Sequence, residues 1–371
     1  MLFTFTLLCV FSLGCNSQQT DNDTQDSTDQ PINIILLIGD GMGVSQLSSA
    51  YYFGDDEPNF SKFPIVGLSR TSSSSHKITD SAAGATAFAS GIKTYNAAIG
   101  VDADTNAVPT IVEQLSAKGW NTGVIATSSV THATPACFYA HTALRSMQEE
   151  IARQMTYSEL DFVAAGGYKW FLNRADSVNY LDSLTANGFV VDTTSINTIL
   201  GNGDEKPVYL LAADEMPTIN QGRGSFLLDA TNKAIAHLSA KPEPFMLMIE
   251  GSQIDWGGHA NDADYLITEL LDFDKTVGVV FDYAKEQGNT LVIITADHET
   301  GGFTLAGERK TKAYRQVYND YNSIAPSFST SGHSAAMVPV LAFGPGSENF
   351  MGIYQNTHIY TGMMQAANVK P

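Results

Sequence analysis

Three apolar runs in this 371-residue chain end in an acid. Ile34-Ile35-Leu36-Leu37-Ile38-Gly39 leads to Asp40, and Phe245-Met246-Leu247-Met248-Ile249 leads to Glu250. Leu291-Val292-Ile293-Ile294-Thr295-Ala296 leads to Asp297, with His298 directly after it. Taken singly, Asp40-Gly41 reads as a turn, Glu250-Gly251 as a strand end, and Asp297-His298 as a helix entry with a satisfied imidazole. Open α/β sheets bind ligands beyond the carboxyl ends of their strands. Acids delivered together to that edge repel one another and desolvate poorly unless a cation joins them. The conjunction therefore points to a metal cluster.

Histidines sharpen this reading. Asp255 and His259 stand four apart, so a helical turn places both on one face. His333 sits in a polar, glycine-containing stretch, Ser331-Gly332-His333-Ser334, where a lone histidine would ordinarily be a surface residue. Together these groups offer mixed carboxylate and imidazole ligation suited to Zn²⁺, with Mg²⁺ on oxygen ligands alone.

Thr79-Asp80-Ser81-Ala82-Ala83-Gly84-Ala85-Thr86-Ala87 has the small residues of a helix start. Asp80 or Ser81 could simply cap that helix. In the functional reading Ser81 lies at the positive end of the helix dipole, where backbone N–H groups favour an anion. A serine at its normal pKa is a poor nucleophile, and no histidine is near it in sequence, so a metal ion would have to activate it. Arg145 is a candidate clamp for phosphate oxygens through its paired donors. Composition does not choose it among the seven arginines of the chain.

Positioning these residues requires a scaffold of parallel strands. Candidate strands are Ile32–Ile38, Thr122–Ala126, Phe245–Ile249, Leu291–Thr295 and Val338–Phe343, alternating with helical patterns at Thr110–Lys118, Met147–Met155, Ser225–Ala240 and Asp262–Glu286. Short apolar runs separated by amphipathic helices predict a largely parallel, doubly wound sheet covered on both faces, a three-layer α/β/α sandwich. Asp176 to Asp214 is too irregular to place.

With 43% hydrophobic and 16% charged residues, the chain is globular rather than disordered or fibrous. Its net charge of −19 disfavours nucleic acid and anionic lipid headgroups as partners. The same field would repel a phosphate ester unless a local positive charge overrides it. Met1 to Gly14 is apolar, too short to span a bilayer, and fits a signal peptide; Asn16 to Gln30 is polar and reads as a linker. Ser12-Leu13-Gly14-Cys15 resembles a bacterial lipobox, though no Lys or Arg precedes the apolar run and Ser12 stands where an aliphatic residue is usual. The expected organisation is a signal peptide over residues 1–15, a linker over 16–30 and one domain over 31–371. Export to the periplasm, or anchoring in the outer membrane through Cys15, goes with it. Three cysteines (Cys9, Cys15, Cys137) give no disulfide framework, and Cys137 reads as a small buried filler.

From about Ile32 through Met337 the chain resembles the bacterial alkaline phosphatases. The carrying motifs are Ile38-Gly39-Asp40-Gly41-Met42-Gly43, Thr79-Asp80-Ser81-Ala82-Ala83-Gly84, Glu250-Gly251-Ser252-Gln253-Ile254-Asp255-Trp256-Gly257-Gly258-His259 and Thr295-Ala296-Asp297-His298-Glu299-Thr300-Gly301-Gly302. Four motifs in order make the signal specific, and the smaller, insertion-poor members are the most similar. The resemblance implies hydrolysis of small phosphate monoesters, with Ser81 the phosphorylated nucleophile and Arg145 the phosphate clamp. It implies two zinc ions, one on Asp255, His259 and His333, the other on Asp40, Asp297, His298 and Ser81. It also implies one Mg²⁺ on Asp40, Thr134 and Glu250, and a homodimer. Three such cations with Arg145, set against four carboxylates, leave a pocket excess of roughly +3. That excess answers the acidic surface.

Two positions depart from the best-known bacterial pattern. His132 stands where Asp is familiar and Trp256 where Lys is familiar; His132 is expected close to Mg²⁺ without binding it directly. Two other readings stay beside this one. A phosphodiesterase or sulfatase-like hydrolase of the same superfamily would use a Thr nucleophile without the clamp, or a Cys/Ser-x-Pro-x-Arg motif that does not surround Ser81. A non-catalytic surface lipoprotein binding metal or phosphate would be marked by a lost nucleophile or ligand, yet every expected position is filled.

Overall fold

The computed structural model describes Leu2 and residues 32–172, 174–200 and 205–369. The signal peptide and linker expected over 1–30 lie, Leu2 apart, outside the described residues. In chain order the first strands are β1 (Asn33–Gly39), β2 (Ile65–Arg70), β3 (Asn121–Ser129), β4 (Phe162–Gly166), β5 (Phe189–Asp192), β6 (Lys206–Leu210) and β7 (Phe245–Gly251). Then come β8 (Thr290–Thr295), β9 (Glu299–Thr300), β10 (Thr304–Thr311), β11 (Val317–Ser327), β12 (His333–Ser334), β13 (Val338–Phe343) and β14 (Gly352–Gln355).

Ten of them form one sheet, ordered β14-β2-β13-β8-β1-β7-β3-β4-β6-β5. Its described pairings are parallel except the two made by β13, which runs antiparallel to both β8 and β2. Side chains alternate across a strand, and β1 divides its apolar residues accordingly. Ile34, Leu36 and Ile38 enter one core with Ala82, Ala85 and Phe88, while Ile35 and Leu37 enter the other with Leu266, Leu270 and Phe273. Helices thus cover both faces, as the unbroken apolar runs require. The expected α/β/α sandwich is the fold observed.

Local signals explain the element ends. Thr110 caps the helix Ile111–Ser116 in a reciprocal box with Glu113, and Asp262 caps the 25-residue helix Ala263–Gln287. The irregular stretch from Asp176 holds the short helix Tyr180–Ala186, the edge strand β5 and its neighbour β6. Three of the four β5 residues are half-exposed, so no clean apolar run marks it. Away from the main sheet, β10 and β11 form an exposed antiparallel hairpin, and β9 and β12 form a two-residue ladder.

Candidate active site

Strands β8, β1, β7 and β3 are consecutive in the sheet, so their carboxyl ends bring Asp297, Asp40, Glu250 and the segment after Ser129 to one edge. All three acids are fully buried. Burial, followed by the carboxylates of Asp297, Asp255 and Glu250, holds Asp40 well above the usual carboxylate range. Burial likewise pushes Glu250 up to about 7. Both Asp40 oxygens, Glu250 Oε1 and Thr134 Oγ1 are buried without a hydrogen bond to any described residue. Buried oxygens are almost always satisfied. An all-oxygen group of this kind fits a hard cation such as Mg²⁺.

Asp255 and His259 lie one turn apart on the helix Gln253–Ala260, with His259 Nε2 3.4 Å from Asp255 Oδ2. His259 Nδ1 is 2.7 Å from the Ser331 carbonyl, and His333 Nδ1 is 2.8 Å from the Thr79 carbonyl. A carbonyl only accepts, so both rings donate through Nδ1 and in their neutral form carry their lone pair on Nε2. Those two lone-pair nitrogens face each other at 3.1 Å. His298 follows the same rule. Thr300 donates its hydroxyl to Asp255 Oδ1, so it accepts from His298 Nδ1 at 3.1 Å. His298 Nε2 faces Ser81 Oγ, Asp40 Oδ1 and Asp297 Oδ2. Burial lowers the imidazole pKa, but the carboxylates of Asp297 and Asp255 prevail and raise it. Burial also lowers the His333 pKa, which favours its neutral, ligating form.

The donor atoms of Asp40, Asp297 and His298 lie within 4.8 Å of one another, and so do those of Asp255, His298 and His333. His298 belongs to both groups, its ring stacked on His333 at a centroid distance of 3.5 Å. Carboxylates with oriented imidazole nitrogens suit zinc.

Ser81 is the first residue of the helix Ser81–Ser90, 2% exposed, with Oγ 3.3 Å from His298 Nε2. The cap is Asp80, whose Oδ1 accepts from the Ala83 amide at 3.1 Å. Asp80 Oδ2 takes the Ala97 amide and the Arg145 Nη1 at 3.0 and 3.1 Å. The other Arg145 nitrogen, Nη2, is 3.1 Å from His132 Nε2. His132 also meets the Trp256 ring edge-on at 5.8 Å. Burial, then the Arg145 charge, pushes the His132 imidazole down to about 3. The ring is therefore neutral and accepts from the guanidinium. Small residues let the Ser81–Ser90 helix approach: a Cβ on Gly84 would sit 3.0 Å from Asp297 Cβ.

Among the described residues, Ser81, Arg145, His132, Trp256 and the expected metal ligands thus lie in or beside one cluster, and Cys137 is a buried thiol that donates to the Ala82 carbonyl and is pushed up to about 12 by burial. Sequence reasoning passed over Thr300, which links Asp255 to His298, and it weighed Asp80 only as a cap. Both lie inside motifs already noted, yet neither carries a pattern that announces a bridging role.

Together the fold and site define a metal-assisted α/β hydrolase. The chain belongs to the alkaline phosphatase family, whose sequence model matches residues 32–324. It is 33% identical to alkaline phosphatase 3 of Bacillus subtilis over 91% of this chain and 89% of that one. The structure of alkaline phosphatase from the Antarctic bacterium TAB5 is similar at a TM-score of 0.88 and 51% identity, covering 92% of this chain and 99% of that one. A TAB5 variant with a His-to-Asp exchange, described with Mg bound in its M3 site, is similar at a TM-score of 0.89 and 50% identity over the same shares. The protein is a phosphoric monoester hydrolase that uses metal cofactors.

Proposed function

We propose that hydrolysis proceeds in two displacements, through a phosphoseryl intermediate on Ser81. The Nη groups of Arg145, held by Asp80 and His132, bind two non-bridging phosphate oxygens, and the first amides of the Ser81–Ser90 helix favour the same charge. Ser81 Oγ attacks phosphorus in line with the ester oxygen, whose bond breaks as the alcohol leaves with a proton. Water then attacks the phosphoserine, returning Ser81 and releasing inorganic phosphate. Asp255, His259 and His333 would hold one zinc, Asp40, Asp297 and His298 the other beside Ser81, and Asp40, Thr134 and Glu250 the Mg²⁺. When bound, these cations lower the pKa of the serine and of water and neutralise the leaving oxygen.

The observation that carries this reading is the pair of Nε2 lone pairs of His259 and His333 facing each other at 3.1 Å beside a buried carboxylate. Two acceptors so placed repel unless a cation lies between them. We infer that the histidine exchanged in the TAB5 variant corresponds to His132, which makes the Asp40–Thr134–Glu250 group the counterpart of its M3 site. Residues 1–15 act as a leader with a lipobox cysteine and 16–30 as a tether, placing the domain over 31–371 in the periplasm or on the outer membrane as a homodimer. Among the described residues no helix is long and apolar enough to cross a membrane.

Steady-state hydrolysis of a chromogenic phosphate monoester, against a diester and after chelation, tests the reaction. Strong monoester preference, lost on chelation and restored by zinc with Mg²⁺, is expected. Full turnover in metal-stripped protein would overturn it.

A further inference from the structure

Glu299 is a buried carboxylate, 5% exposed, that forms no ion pair with any described residue and has no part in the displacement just described. Its oxygens divide their partners. Oε1 accepts from Gln46 Nε2 at 2.7 Å and from the Phe303 amide at 3.0 Å, while Oε2 accepts from the Ser334 hydroxyl. Gln46 stands on the helix Val44–Phe53, and its amide also donates to the Thr300 carbonyl at 2.8 Å. One oxygen is therefore fixed to the frame that carries Asp40 and Thr300. The other reaches across to the residue after His333.

That reach matters because β12 is only two residues long. The bonds that tie the segment before it, from Gly301 to Ser329, Thr330 and Gly332 and from His259 to Ser331, stop short of Ser334. The β12 ladder with β9 pairs only His333 with Thr300 and Ser334 with Glu299, and Ser329 to Ser331 before it are exposed. The His333 ring itself bonds to the Thr79 carbonyl and stacks on His298. The site also makes room for the carboxylate, since a Cβ on Gly43 would lie 2.4 Å from Glu299 Cγ. A satisfied structural acid would account for the Gln46 and Phe303 bonds. It would not require a separate oxygen committed to the strand that carries the imidazole.

We propose that Glu299 is a positioning residue: through the Ser334 hydroxyl it clamps β12 to β9, and so sets the distance of His333 Nε2 from His259 and Asp255. This rests on the reading of Asp255, His259 and His333 as a zinc centre. Partners that orient ligating groups commonly govern metal affinity by about 10- to 100-fold.

The test follows zinc transfer from the holoenzyme to a chromogenic chelator, in wild type and in Ser334→Ala, Glu299→Ala, Glu299→Gln and the Glu299→Ala/Ser334→Ala pair. Ser334→Ala and Glu299→Ala are expected to weaken one of two zinc ions by about 10-fold or more, leaving the other unchanged. The double variant should be no worse than Glu299→Ala. Glu299→Gln should stay within about twofold of wild type, since its carbonyl keeps the Gln46 and Phe303 bonds and its amide can donate to Ser334. If Glu299→Ala fails to fold, Ser334→Ala alone decides. Wild-type zinc release in Ser334→Ala, or equal weakening of both ions, would overturn the clamp. A wild-type protein that holds no zinc would instead refute the metal centre itself.

Discussion

The Ser81 hydroxyl lies 3.3 Å from Nε2 of His298, although 217 residues separate the two. The imidazole is not a free proton acceptor for this serine, because the same nitrogen also faces Asp40 and Asp297 at 3.6 and 3.1 Å, and Asp297 outweighs burial to raise its pKa. Chemistry at Ser81 is thereby tied to the acids around it rather than to a histidine–serine pair.

Ser81→Ala is expected to lower monoester turnover by at least about a thousandfold while leaving the fold intact, since the helix is capped by Asp80. Asp80→Ala should act differently. It removes the cap, costing about 1 kcal/mol, and releases Arg145, so KM for the monoester rises. Kinetics with urea unfolding checks both; an unchanged KM in Asp80→Ala would contradict the role given to that carboxylate.

His132→Asp combined with Trp256→Lys should raise Mg²⁺ affinity. The aspartate brings a hard carboxylate ligand toward the unsatisfied oxygens of Asp40, Glu250 and Thr134 and removes the neutral acceptor on Arg145, while the lysine balances its charge. Calorimetric Mg²⁺ titration of zinc-loaded protein measures it. An unchanged titration would remove His132 from the Mg²⁺ site.

Arg223 is buried between Glu269 and Asp272, with Nη2 2.5 and 2.9 Å from their oxygens. Arg223→Met strands two buried carboxylates, and a loss of about 3–5 kcal/mol is expected near neutral pH. Burial already holds both acids above their usual range, with Arg223 opposing it. An acid with a raised folded pKa destabilises as pH climbs through the interval between its unfolded and folded values. The loss should therefore shrink at about pH 5. Denaturant unfolding at the two pH values decides.

His141 and Glu113 meet at 3.0 Å beside a pocket of about 390 Å³, away from the metal cluster. The histidine pKa is raised: burial lowers it, but the Glu113 bond and the Gly100 carbonyl prevail. The acid is lowered: burial raises it, but His141 and Thr110 prevail. A raised base stabilises fully below its unfolded value, and a lowered acid fully above its own. The pair thus contributes most between about pH 4.5 and 6.5. The drop in melting temperature caused by His141→Ala should peak there and fade by about pH 8. Equal drops at both ends would refute the coupling.

Much of this was readable from residue order. The strands β1, β3, β7, β8 and β13 are buried on both faces, so they appear as apolar runs, and acids follow three of them at the edge where ligands gather. Strands β2 and β5 were hidden because partial exposure breaks their runs, and β10 with β11 because an exposed hairpin needs no apolar pattern. At the site, ligand types were legible while connections were not. That His298 serves two groups, that Thr300 joins Asp255 to it, and that Glu299 reaches Ser334 depend on contacts across the tertiary fold, which spacing does not encode.

Gly41 adopts a left-handed turn with φ of 73°, and a side chain there would meet Asp255 Cα at 2.7 Å. By the same measure a side chain on Gly84 would meet Asp297 Cβ, and one on Gly258 would meet Thr300, each at 3.0 Å. The separations within the catalytic cluster are thus set by hydrogen atoms, so these positions have nowhere to drift. A saturation library should find all three constrained and Gly41 the least tolerant, even though none of them has a functional group to lose.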